Sequence, residues 1–211
     1  MIENTIKTRD KSKKRKMIIE GATKAFMDHG YKNASMDVIA SYASVSKKTI
    51  YNHFKSKENV ILSIITEYLD GKAALKDIIY DKLESIENQL LSFLNAELYL
   101  VNTPEKLGLA KVLTSTFIED PILAYRIVAK FEPNRLKFIH WLEDAIVDNK
   151  LVVDDLDRAA TIFYGMIEGA ITYPVLFQKE LNAKYSTIVM EDIVTTFLCR
   201  YKNNVQSKKF F

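Results

Sequence analysis

Val45-Ser46-Lys47-Lys48-Thr49-Ile50-Tyr51-Asn52-His53-Phe54-Lys55-Ser56-Lys57-Glu58 holds a helix start, two anchors for a core and a basic, aromatic outer face. Ser46 suits an N-cap, its hydroxyl accepting from one of the first unpaired amides, and Val45 before it can staple onto Ile50. At 100° per residue Ile50 and Phe54 share one side of this helix. Lys48, Tyr51, Asn52 and Lys55 then point away, with Thr49 and His53 on the flank. Ser56 reads as the cap of a following helix, so the element is under three turns long, a size that a DNA major groove admits.

Upstream, Ile18, Ala22, Ala25 and Phe26 recur at helical spacing between Lys11 and His29. Gly30 follows as a left-handed C-cap, with Tyr31 folding back onto Phe26. Ser35 caps a second helix, Met36 to Tyr42, whose apolar stripe is Val38, Ile39, Tyr42 and Ala43, and a tight turn at Ala43-Ser44-Val45 leads into Ser46. The pattern predicts a three-helix unit whose last helix is exposed.

With those residues in register, Ala25-Phe26, Gly30-Tyr31, Ser35, Ile39-Ala40, Ala43, Val45-Ser46, Thr49-Ile50-Tyr51, His53-Phe54 and Ser56-Lys57-Glu58, the stretch from Lys13 to Val60 resembles the DNA-binding signature of TetR/AcrR-type transcriptional regulators. Two positions depart from that signature, which often has Gly where Ser44 and Lys48 stand. The resemblance implies a DNA-binding set of Ser35, Ser46, Lys47, Lys48, Thr49, Tyr51, Asn52, His53 and Lys57. Within it Ser35, Thr49 and Lys57 contact phosphate, Lys47 and Tyr51 mainly phosphate, Lys48 and Asn52 face base edges, and His53 either faces a base edge or is a partly buried packing residue. It also implies a homodimer on a palindromic operator in double-stranded DNA, released by a small-molecule effector.

Charge supports the same end of the chain. Residues 1–60 hold 13 Lys/Arg against 6 Asp/Glu, whereas residues 61–211 hold 17 against 21, so a basic head is joined to an acidic remainder. Lysine and arginine neutralise phosphates, which is the sequence-independent part of DNA affinity. The run Lys11-Ser12-Lys13-Lys14-Arg15-Lys16 reads as a basic arm leading into the first helix, either solvated or touching phosphates. With 211 residues, 48% hydrophobic, and only six Gly and four Pro, the composition predicts an all-α chain with a sizeable core.

Beyond the head, helices are expected at about 57–80, 85–101, 104–118, 121–131, 133–149, 154–177 and 186–201, nine or ten in all. The expected division is an N-terminal helix-turn-helix domain over residues 1–57 and a C-terminal ligand-binding and dimerisation domain over residues 58–211, with the helix from Lys57 as the lever between them. Phe93, Tyr99, Phe117, Tyr125, Phe131, Phe138, Trp141, Phe163, Tyr164 and Tyr173 supply either a core or, as the resemblance implies, the lining of an effector cavity. Glu168, a carboxylate in an apolar helix, either pairs with a neighbour or selects a cationic or hydroxylated ligand. Gly165 and Gly169, with Ala170, permit close helix approach, within the chain or across the dimer interface that the resemblance implies.

Other classes fit poorly. His29, His53 and His140 lie far apart with no metal-ligand spacing. Glycine-rich phosphate loops and nucleophile elbows are absent, so neither an enzyme nor a cofactor is expected. The single cysteine, Cys199, excludes an internal disulfide, fits a reducing cytoplasm and reads as a small core residue. Residues 159–177 are apolar enough to raise a membrane span, against which Glu168 and Pro174 argue. The competing reading is a helical small-molecule sensor or carrier without sequence-specific DNA binding.

Overall fold

The computed structural model describes residues 2–70, 78–99, 101–177 and 183–203. In order these form α1 (Ile2–Asn33), α2 (Met36–Tyr42), α3 (Lys47–His53), α4 (Lys57–Asp70), α5 (Ile86–Leu98), α6 (Pro104–Glu119), α7 (Pro121–Val128), α8 (Glu132–Val147), α9 (Leu156–Ile167), a π-helical turn (Glu168–Thr172), α10 (Tyr173–Phe177) and α11 (Ala183–Tyr201). The fold is all-α as expected. Among the described residues the sole β pairing is an isolated antiparallel bridge, Leu151 to Lys202. The starts follow local chemistry: Ser35, Ser46, Ser85, Asp120 and Asp155 each accept a backbone N–H three residues on, and proline stands in the first turn of α7 and α8. The helix expected over 57–80 ends at Asp70 as described, and residues 78–80 are not helical; residues 71–77 lie outside the described set.

Packing divides the chain into two compact units, Met1–Gly71 with Gly108–Lys130, and Lys72–Leu107 with Phe131–Phe211. The break expected at residue 57 differs from this division. α4 buries Val60, Ile61, Ile64 and Ile65 within the first unit, and the chain returns there with most of α6, from Gly108 on, and with α7.

In the first unit α1 packs on α2 and α4, α2 on α3, and α4 on α7. Ile18, Ala22, Ala25 and Phe26 of α1 are buried as their spacing requires. α1 bends at Gly30, where φ is 73° and ψ 161°, a backbone state that side chains resist, and the rings of Tyr31 and Phe26 come within 5.5 Å. The positive φ was expected. The extended ψ makes the residue a kink instead of a left-handed cap. The basic run 11–16 is helical, an integral part of α1.

In α2 the buried side chains are Met36, Ile39 and Ala40. Tyr42, expected in the apolar stripe, is 38% exposed: its hydroxyl donates to Asp28 Oδ2 at 2.8 Å and lies 3.1 Å from His29 Nε2, a polar tip that holds the ring at the surface.

Two backbone features fix the α2–α3 turn. A Cβ placed on Gly21 would lie 2.5 Å from both the Cα and the N of Ala43, so α1 and the turn touch main chain to main chain. Ser44 holds φ at 52°, which costs an L-residue about 1 kcal/mol relative to glycine. Ser44→Gly is therefore expected to raise the stability of this unit by about 0.5–1 kcal/mol, read as a higher urea midpoint at unchanged slope. A lower midpoint would contradict a strained turn.

The second unit pairs α8 with α9, α5 with α11, and α9 and the π turn with α11. Its core is a set of rings in mutual contact. Phe138 stacks on Phe163 with centroids 4.4 Å apart and on Trp141 at 5.7 Å, and meets Phe93 edge-on at 5.0 Å. Phe197 closes the set against Phe163 at 5.2 Å. Gln89, 3% exposed, satisfies its whole amide there. Its Oε1 accepts from Trp141 Nε1 and Asp81 N, both at 3.0 Å, and its Nε2 donates to the carbonyls of Asp81 and Glu84. Leu156–Phe177 is long and apolar enough to cross a membrane by length and composition alone. Here it buries Phe163, Ile167 and Ile171 against neighbouring helices of its own unit. Cys199, read as a core residue, is exposed.

Candidate nucleic-acid interface

α3 is held by its two apolar anchors and offers the rest of its surface. Ile50 is fully buried and Phe54, the C-cap, 4% exposed, while Lys48, Tyr51, Asn52 and Lys55 are exposed and Thr49 and His53 half-buried. This is the partition that 100° spacing requires. Ser46 caps the helix twice over: its Oγ accepts from Thr49 N at 3.1 Å and lies 2.8 Å from Thr49 Oγ1. Ser35 does the same for α2, accepting from Val38 N at 3.2 Å. Both serines are exposed.

The cations of this face are not equivalent. Lys47 Nζ donates to Asp37 Oδ2 at 2.7 Å, and this bond raises the ammonium's pKa. Lys48, one residue on, makes no ion pair among the described residues. Lys57 is turned inward: its Nζ donates to the carbonyls of Tyr31 at 2.7 Å and Lys32 at 3.0 Å and sits 4.4 Å above the Tyr31 ring. Desolvation lowers its pKa. An ammonium on the last carbonyls of α1 complements the negative end of that helix. Lys57 thus ties α1 to the start of α4, and the phosphate role implied for it competes with two carbonyl bonds. The pKa of His53 is lowered by partial burial and by the charges of Lys11, Arg15 and Lys14, which favours the neutral ring with one donor and one acceptor.

Behind α3, Arg126 of α7 pairs with Glu58 of α4 at 2.6 Å, and Arg15 of α1 pairs with Glu67 while its guanidinium lies 5.4 Å from the centroid of the Phe54 ring. These contacts and the Gly21–Ala43 approach set the angle at which α3 is presented. Gly21 was legible in principle, since a glycine inside an amphipathic helix signals close backbone approach. The Asp37–Lys47 pair spans two helices and carried no local signal.

The residues named for an effector site fall in different places. Phe93, Phe138, Trp141 and Phe163 are buried in the ring cluster of the second unit. Tyr164 adjoins it, edge-on to Phe138 at 5.7 Å, and burial, then the charge of Glu97, push its pKa up. Tyr99 is half-buried beneath Lys106 Nζ, 3.0 Å from its ring centroid. Phe117 and Tyr125 belong to the first unit, where they are 38% and 79% exposed. Glu168 opens the π turn and is exposed, not sealed inside the helix. Apolar neighbours, and then Glu97, raise its pKa.

A Cβ on Gly165 or Gly169 would meet nothing within 4 Å, so neither glycine serves tight packing among the described residues. Ala170 beside them is half-buried. Among the described residues no group of three or more His, Cys, Asp or Glu is placed to hold a metal ion.

Comparison with known proteins bears on both units. Residues 18–64 match the family described as bacterial regulatory proteins, tetR family, and residues 88–203 match AefR-like transcriptional repressor, C-terminal domain. The chain is similar to the uncharacterized HTH-type transcriptional regulator YhgD of Bacillus subtilis (strain 168), 46% identical over 56 residues that make up 26% of this chain and 29% of that protein. It is also similar to the HTH-type transcriptional regulator SrpR of Pseudomonas putida, 24% identical over 178 residues, 83% of this chain and 81% of the other. The crystal structure of a TetR family transcriptional regulator from Pseudomonas syringae pv. tomato str. DC3000 superposes with a TM-score of 0.76 and 30% identity, covering 90% of this chain and 97% of that one.

Proposed function

The chain belongs to the tetR family of bacterial regulatory proteins and is a DNA-binding transcriptional regulator, and from that premise we propose that it acts as a repressor, binding a palindromic operator as a homodimer and leaving it when a small apolar or amphipathic molecule binds the second unit. The carrying observation is the exposure of Lys48, Tyr51, Asn52 and Lys55 on a helix anchored by Ile50 and Phe54. Two copies of α3 enter successive major grooves about 34–36 Å apart. The open glycines support the dimer: Ile162, Gly165, Gly169 and Tyr173 recur at steps of three and four residues and all are exposed. A second copy laid along such a stripe would bury it with little steric cost.

Tyr164, at the margin of the packed rings, and Tyr99 and Glu168, which are not packed in the ring cluster, are the effector contacts this reading favours. Release follows if the effector binds more tightly to a dimer whose α3 helices are out of register, and the difference in affinity sets its extent. A regulator of this kind works where the chromosome is, so the cytoplasm is its proposed location, and the reading assigns it no reaction.

Lys48 gives the test. Selection of bound fragments from the source genome, followed by gel shifts on a panel of half-site variants, is expected to show a salt-dependent, sequence-selective complex. In that complex Lys48→Ala should lose about 1–3 kcal/mol at one base pair and little elsewhere. Equal loss on every sequence makes Lys48 a phosphate contact. No sequence preference in the unmodified protein leaves the sensor without specific DNA binding as the surviving reading.

A further inference from the structure

Residues 1–16 carry Lys7, Arg9, Lys11, Lys13, Lys14, Arg15 and Lys16 against Glu3 and Asp10, more net positive charge than the +3 of the whole chain. This segment is helical, continuous with α1, and from residue 11 to residue 17 no side chain is buried, Ile18 being the first that is. Over those residues apolar packing does not account for the helix. Helical neighbours repel within it: Lys11 and Arg15 are four residues apart, Lys11 and Lys14 three, Lys13 and Lys16 three. Like charges at these spacings destabilise a helix, and the Lys16–Glu20 pair at 3.8 Å between exposed side chains offsets little of it. Lys11 and Lys13 are exposed and make no ion pair with the described residues.

The position of this charge is fixed by Arg15, which reaches Glu67 and the ring of Phe54, the C-cap of α3. Lys11, Arg15 and Lys14 lie near enough to His53, at the end of α3, for their charges to add to the effect of burial in lowering its pKa.

We propose that the basic N-terminal part of α1 is a second DNA-contacting element, with Lys11 and Lys13 gripping phosphates that flank the base pairs read by α3. The inference rests on the DNA-binding reading above. A polyanion beside α3 neutralises the repulsion along the segment, and the continuous helix carries the contact outward at 1.5 Å per residue. Such contacts add affinity and no base preference, since phosphates carry no sequence information.

The experiment uses the full chain and two duplexes, one ending at the edge of the palindrome selected by the unmodified protein, the other with about ten base pairs, one helical turn, on each side. The unmodified protein is expected to bind the longer duplex at least tenfold more tightly. The double variant Lys11→Gln, Lys13→Gln is expected to lose that advantage. Its salt dependence on the long duplex should be shallower by about 3–4, close to one for each of four lysines in a dimer. Glutamine keeps helix propensity close to that of lysine, so the variant's thermal midpoint should match that of the unmodified protein. Equal affinity of the unmodified protein for both duplexes, or an unchanged salt slope in the variant, overturns the proposal while leaving DNA recognition by α3 standing. Failure of the unmodified protein to select any duplex overturns both.

Discussion

Gly21→Ala is expected to destabilise the DNA-binding unit by about 2 kcal/mol and to weaken operator binding with it. The added methyl would lie 2.5 Å from the Cα and N of Ala43, where no side-chain rotation gives relief, so α1 must move off the α2–α3 turn. Overpacking costs about 1–3 kcal/mol, more against backbone, and the better helix propensity of alanine returns about 1 kcal/mol. Gly108→Ala is the matched control. There the new Cβ meets the end of the Met27 side chain, which can swing aside, so the propensity gain should nearly cancel the crowding. Urea unfolding of the two variants, followed by far-ultraviolet circular dichroism, separates them. A Gly21→Ala protein as stable as the unmodified one would remove the close approach from the account of how α3 is held.

Phe138→Ala is expected to cost the second unit about 3–5 kcal/mol, the range for deleting a buried aromatic ring. Phe138 is fully buried and touches the rings of Phe93, Trp141, Phe163, Tyr164 and Phe197. Its loss leaves a cavity that five neighbours cannot all close. Trp141 is the chain's only tryptophan and stacks 9° from parallel on Phe138, so its emission reports on this unit alone. The denaturation midpoint followed at Trp141 should fall steeply, and Phe138→Leu, which keeps more volume, should fall less. A fall under 1 kcal/mol would mean that the rings are loosely packed, and the cluster would then itself be a candidate effector cavity.

What the sequence made legible was local chemistry. Ser35 and Ser46 fixed the starts of α2 and α3 because a cap acts on an amide three residues away. The exposed and buried sides of α3 followed from its period alone. Tyr42 went to the surface because its hydroxyl found Asp28 and His29 on another helix, a partnership invisible to a hydrophobic pattern. The Asp37–Lys47 pair, the inward turn of Lys57 and the fully bonded amide of Gln89 are likewise contacts between elements. The π turn adds a further case. Glu168–Thr172 reads as ordinary helix in sequence, and the wider turn changes the angular position of every later residue in α10 relative to α9. Among the proposed effector contacts, residue type pointed to aromatics in general, and only packing separated the interlocked rings from those at the margin.

The division of the chain inside α6, between Leu107 and Gly108, bears on how the reading head travels in evolution and in engineering. A chimera that takes its head from this protein as residues 1–71 alone would arrive without α7 and without the Arg126 partner of Glu58, and would bare apolar surface on α4. The transplantable part is two segments, not one, so a productive graft needs two further crossovers, on either side of residues 108–130, to bring that segment along.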